Sequence, residues 1–89
     1  MKIKLELFGA SRDFSDKDHL EIEVQDKASI NDLRNEIIKH IDKNFSGNEN
    51  FIKVVKSSAF CSENNEIISD NYKITKDQKI GIIPSIGGG

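Results

Sequence analysis

The chain has 89 residues, 36% of them hydrophobic and 31% charged, the composition of a globular domain and neither that of a disordered chain nor that of a membrane span. Thirteen basic and fifteen acidic residues give a net charge of -2 with both signs mixed along the chain, so the basic stripe of a nucleic-acid binder is missing and no nucleic-acid partner is expected. The one cysteine, Cys61, excludes an intramolecular disulfide and a thiol-rich metal site, which fits a reducing compartment.

This length predicts a single domain with a small core. No apolar run approaches the roughly 20 residues that span a bilayer, and the start, "MKIKLELFGA", lacks the apolar centre of a signal peptide. The expectation is therefore a cytoplasmic protein with no membrane partner.

In "KIKLELF", Ile3, Leu5 and Leu7 alternate with Lys2, Lys4 and Glu6, the period of a half-buried strand. The alternation places Phe8 on the outer face with Lys4 and Glu6. "GASRDFSDKD" reads as a loop or a single helical turn. "HLEIEV" repeats the strand pattern with Leu20, Ile22 and Val24 inward, predicting a hairpin. In "ASINDLRNEIIKHIDK", Ile30, Leu33, Ile37 and Ile41 fall at helical spacing and Ile38 widens the stripe. Ser29 with Asp32 three residues on forms a capping-box start, so an amphipathic helix of about three turns is predicted. "NFSGNEN" reads as a turn. "FIKVV" is expected to be a third strand, Phe51 to Lys56. Short strands are expected at "SAFC" and "EIIS" around the turn-like "SENN". "KIGII" makes the last strand, with Ile80 and Ile82 inward and Gly81 and Ile83 outward.

That order predicts an α+β domain of the β-grasp (ubiquitin-like) class: a mixed sheet of four to five strands with one main helix packed across it. Residues 1–84 form the domain and residues 85–89 a flexible glycine tail. In such a fold the first and last strands lie side by side and parallel, which brings Phe8 and Ile83 together at the root of the tail.

The last stretch, "IIPSIGGG", ends in glycines that add nothing to a folded core. Extended at about 3.3 to 3.6 Å per residue, Ser85 to Gly89 could reach roughly 17 Å past the sheet. Pro84 stiffens the root by fixing its own φ and offering no N–H for pairing. Beyond Ile86 there is no Cβ, so such a tail fits a tunnel closed to other residues. A frayed, idle end is the bland alternative.

At this point the sequence resembles the small subunit of molybdopterin synthase, a β-grasp sulfur carrier family. The likeness lies in "LFGASRDF" (Leu7 to Phe14), with Arg12 followed by Asp13, in "SINDLR" (Ser29 to Arg34), and most clearly in "KDQKIGIIPSIGGG" (Lys76 to Gly89). Ser85 and Gly87 stand where the family usually has a proline and a serine or threonine.

The resemblance implies a carrier, not an enzyme on its own. Gly89 would be adenylated by a ubiquitin-activating-type enzyme that uses ATP, then converted to a thiocarboxylate that donates sulfur to a pterin precursor in molybdenum cofactor biosynthesis. Gly88 and Gly89 would form the reactive tip and Gly87 its extension. Phe8, Ile83, Pro84 and Ile86 would dock on the large subunit of molybdopterin synthase, in a heterotetramer. No bound cofactor and no metal are implied; the thiocarboxylate is a covalent modification.

Other readings remain alongside it: a carrier of sulfur for thiamine, cysteine or tRNA, a ubiquitin-like protein modifier, or a non-covalent ubiquitin-like adaptor with an inert tail. Cys61 has no neighbouring activating group in sequence and reads as a small structural hydrophobe. His19 and His40 are too far apart for ligand spacing. No catalytic dyad or phosphate loop is visible.

Overall fold

The computed structural model describes residues 1–84. In chain order it has β1 (Lys2–Leu7), a 3-10 helix (Gly9–Phe14), β2 (His19–Glu23), β3 (Ala28–Ser29), α1 (Ile30–Asn44), α2 (Glu49–Ser57), β4 (Ala59–Cys61), β5 (Ile67–Ile68), β6 (Lys73–Ile74) and β7 (Gln78–Ile83). Five strands form a mixed sheet in the order β2-β1-β7-β4-β5, and β3 pairs with β6 in a small ribbon of its own.

The alternation in β1 and β2 does what it predicts. The strands pair antiparallel with Ile3 opposite Ile22 and Leu5 opposite Leu20, so both apolar rows fall on one face. β7 then lies parallel to β1, with Leu5 beside Ile80 and Leu7 beside Ile82. A parallel neighbour needs a long crossover, and here the rest of the domain supplies it. α1 covers the inner face, with Ile30, Leu33, Ile37 and Ile41 fully buried among the inward residues of the sheet. Its start is the predicted capping box: Asp32 N–H donates to Ser29 Oγ at 3.1 Å, and Ser29 N–H donates to Asp32 Oδ2 at 2.9 Å.

The expected third strand at Phe51 to Lys56 is a helix, α2. A short run of β-formers such as "FIKVV" fits either period, and the surroundings decide for the helix. Asn48 Oδ1 caps it by accepting from the N–H groups of Asn50 (3.0 Å) and Phe51 (3.2 Å). At helical spacing, Val55 is fully buried, while Phe51 meets Phe14 and Phe45 with ring centroids 5.2 and 5.1 Å away. The far end is held by Arg34, whose guanidinium donates to the carbonyls of Val55 (2.6 Å) and Ser58 (2.9 Å), pairs with Asp70 (2.9 Å) and stacks over Phe60. The domain thus carries a second helix that the sequence pattern did not predict.

Candidate functional site: the outer face at the root of the tail

Phe8 follows the last residue of β1, and its backbone is fixed locally. Its N–H donates to Ser11 Oγ at 2.9 Å, and the Ser11 hydroxyl donates back to the Phe8 carbonyl at 2.7 Å. Ser11 is fully buried, so this two-way clasp also satisfies a hydroxyl that would otherwise be costly to bury. The chain then turns at Gly9, where φ is +56°, the left-handed region in which a side chain is strained. The turn sits against Pro84: a Cβ at Gly9 would lie 3.8 Å from Pro84 Cγ, an ordinary contact.

The Phe8 side chain lies on the outer face of the sheet and is 41% exposed. Beneath it is Gly81 of β7. A Cβ at position 81 would fall 2.9 Å from Phe8 Cε2 and 2.8 Å from Cys61 Sγ, so the ring and the thiol fill the space a side chain would need. Cys61 stands directly across from Gly81 on β4, and Ala59 across from Ile83. Ile83 and Pro84 are half-buried. Ile67 on β5 pairs with Cys61 and extends the same face, 67% exposed. The result is an apolar surface of Phe8, Ile67, Ile83 and Pro84 over a floor of the buried Gly81 and Cys61, placed at the end of β7.

Charged residues border it. Lys79 Nζ pairs with Glu6 Oε1 at 2.8 Å, and this hydrogen bond, backed by the Glu6 charge, holds the Lys79 ammonium above its ordinary pKa. Among the described residues no three His, Cys, Asp or Glu side chains gather as a metal site. What the described residues offer is an apolar contact surface bordered by the Lys79–Glu6 ion pair.

Of the predicted site residues, Phe8, Ile83 and Pro84 come together as expected. Ile86, Gly87, Gly88 and Gly89 lie outside the described residues. Gly81 is on the outer face as expected and Cys61 is the buried, free thiol expected of a small structural hydrophobe, but the sequence did not assign either to this site, and nothing in it pointed to Ser11. One signal for Gly81 was available, since an isolated glycine inside an apolar strand marks close approach of another group.

No protein-family model matches the sequence, and no curated protein matches it either. Among solved structures, the chain is similar to a putative molybdopterin converting factor, subunit 1, from Pyrococcus furiosus. The identity is 23% and the TM-score 0.69, over 96% of this chain and 98% of that one. It is also similar to SAMP1 from Haloferax volcanii, at 12% identity and a TM-score of 0.67, over the whole of both chains. No helix is long and apolar enough to cross a membrane among the described residues. With the five-stranded mixed sheet, the parallel β1–β7 pair and the helix across it, these likenesses show the fold of the chain to be the ubiquitin-like β-grasp.

Proposed function

We propose that this chain is a sulfur carrier that serves as the small subunit of a molybdopterin synthase. The observation that carries the reading is the meeting of Phe8, Ile83 and Pro84 on one apolar outer patch at the end of β7, with "SIGGG" following in the sequence. The whole-length similarity to a protein described as a molybdopterin converting factor subunit supports it.

On this reading the Gly89 carboxylate attacks ATP on an adenylating enzyme, releasing pyrophosphate and forming an acyl-adenylate. A sulfur nucleophile at the sulfide oxidation level then attacks the acyl carbon and expels AMP, leaving a thiocarboxylate. The patch around Phe8 docks on a large subunit while the tail enters its active site. There the sulfur attacks an electrophilic carbon of a pterin precursor and displaces an oxygen leaving group from it, and water then cleaves the acyl–sulfur bond, leaving the sulfur on the pterin and restoring the carboxylate. The carrier contributes a reactive atom and an address; the acid–base groups belong to its partners.

The test is mass spectrometry of the protein made with an adenylating enzyme and a sulfur donor. Conversion adds about sixteen daltons, one oxygen replaced by sulfur, and removal of Gly88 and Gly89 abolishes it. No gain in a system that converts a known carrier would count against the proposal. A ubiquitin-like modifier is the second reading, because the fold is the ubiquitin-like β-grasp and "SIGGG" follows β7 in the sequence. Lysine-linked conjugates that vanish with the glycines would favour it.

A further inference from the structure

The sheet has two edge strands, β2 with five residues and β5 with two. β2 lies at one end of the strand order. Val24 N–H donates to Met1 O at 2.9 Å and Leu7 N–H to Asp18 O at 3.0 Å. In an antiparallel ladder the residues that bond to the neighbour alternate, so Leu20 and Ile22 turn their backbone groups to β1. His19, Glu21 and Glu23 therefore turn theirs outward. Beside this edge runs α1, and a shallow cleft of about 320 Å³ lies between them, lined by Glu21, Ile22 and Glu23 of β2 and by Lys39, His40 and Lys43 of α1; a second cleft of about 830 Å³ adjoins it at Glu23, Glu36 and Lys39 and continues past the end of β2 along residues 24–28. The unpaired edge of β2 thus opens onto the smaller cleft over Glu21–Glu23.

Charge selects the occupant. On the outer face Lys2 stands opposite Glu23 and Lys4 opposite Glu21, a basic row followed by an acidic row. Among the described residues neither glutamate has an ion-pair partner within 4 Å. The next strand should again be basic, because opposite charges directly across a ladder stabilise it and like charges oppose it. A second copy of this chain fits less well: antiparallel β2–β2 pairing over the whole strand, centred on Glu21, would set the two Glu21 carboxylates against each other. Toward the groove, the incoming side chains would meet the stems of Lys39 and Lys43 on α1, which suit medium apolar residues.

We propose that the β2 edge docks an extended segment of a partner protein, with lysine or arginine at alternate positions and aliphatic residues between, adding it as a sixth strand. The site is two strands from β7, and the proposal does not depend on the carrier reading.

The probe is a blocked nonapeptide that alternates lysine with valine, titrated at low salt while backbone amide shifts and exchange are followed. The expected result is shifts confined to His19–Glu23 and to the 39–43 stretch of α1, with slowed exchange at the Glu21 and Glu23 amides. Glu21→Lys should weaken binding roughly three- to tenfold. A peptide with glutamate for lysine, and one N-methylated at its edge-facing amides, should fail to bind. The proposal is overturned if these amides do not respond at millimolar peptide, if the shifts appear at Phe8 and Ile83 instead, or if either control peptide binds as well.

Discussion

Adding one methyl group at Gly81 would place a carbon 2.8 Å from Cys61 Sγ and 2.9 Å from Phe8 Cε2, inside van der Waals contact on two sides, so both side chains must give way. Overpacking of this kind costs about 1 to 3 kcal/mol. Gly81→Ala should lower the melting temperature accordingly and displace the Phe8 ring, seen as shifted aromatic proton resonances; removing the ring as well, in a Gly81→Ala, Phe8→Ala double variant, should recover part of the loss. Unchanged ring resonances in Gly81→Ala would refute the placement of Phe8. A second residue-scale effect concerns Asp32. The Ser29 backbone N–H, then its hydroxyl, holds the Asp32 carboxyl below its ordinary value of 3.8. A carboxyl depressed by folding stabilises the native state above its unfolded pKa, and that stability is lost as pH falls through the folded value. The melting temperature should therefore drop more steeply below about pH 4 in the natural protein than in Asp32→Asn, which cannot titrate there.

The two helices differ in how much of them could be read from the chain. α1 carries its stripe, cap and length in its own residues: Ile30, Leu33, Ile37 and Ile41 at helical spacing behind Ser29. α2 is a nine-residue segment whose apolar residues are all β-branched or aromatic, and isolated helices that short are marginal. Its cap, Asn48, is local, but the rest of what holds it as a helix lies elsewhere in the sequence, in Phe14, Phe45 and above all Arg34. No local pattern reveals a guanidinium on α1 that satisfies the carbonyls ending α2. Arg34→Ala leaves those acceptors and Asp70 without their charged donor, and hydrogen bonds to charged groups contribute about 1.5 to 3 kcal/mol. The variant should lose about that much, with amide exchange accelerated first across 49–57. Arg34→Lys should restore little of it, because an ammonium lacks the planar fork that reaches several acceptors at once. Full recovery by lysine would reassign the role to charge alone.

At the scale of the molecule, the candidate site exists only because the two ends of the domain meet. Phe8 was legible as an outward residue from the alternation of β1, and Ile83 from that of β7, while their adjacency followed from the fold class. The glycine floor and the thiol beside it were not, since cross-strand register is set by the whole sheet. Core and surface should therefore separate experimentally. Leu33 is fully buried under the sheet, and Leu33→Ala should cost about 2 to 5 kcal/mol while leaving the outer face intact in the molecules that stay folded. Phe8 is partly exposed on the other side. Phe8→Asp puts a charge into the apolar patch, and burying it at an interface without a partner is strongly unfavourable. On the carrier reading, Leu33→Ala should lower the melting temperature and, per folded molecule, still copurify with a large subunit and accept sulfur. Phe8→Asp should keep its melting temperature close to that of the natural protein and lose the large subunit. If Phe8→Asp copurifies undiminished, the outer patch is not the docking surface, whatever chemistry the glycines carry out.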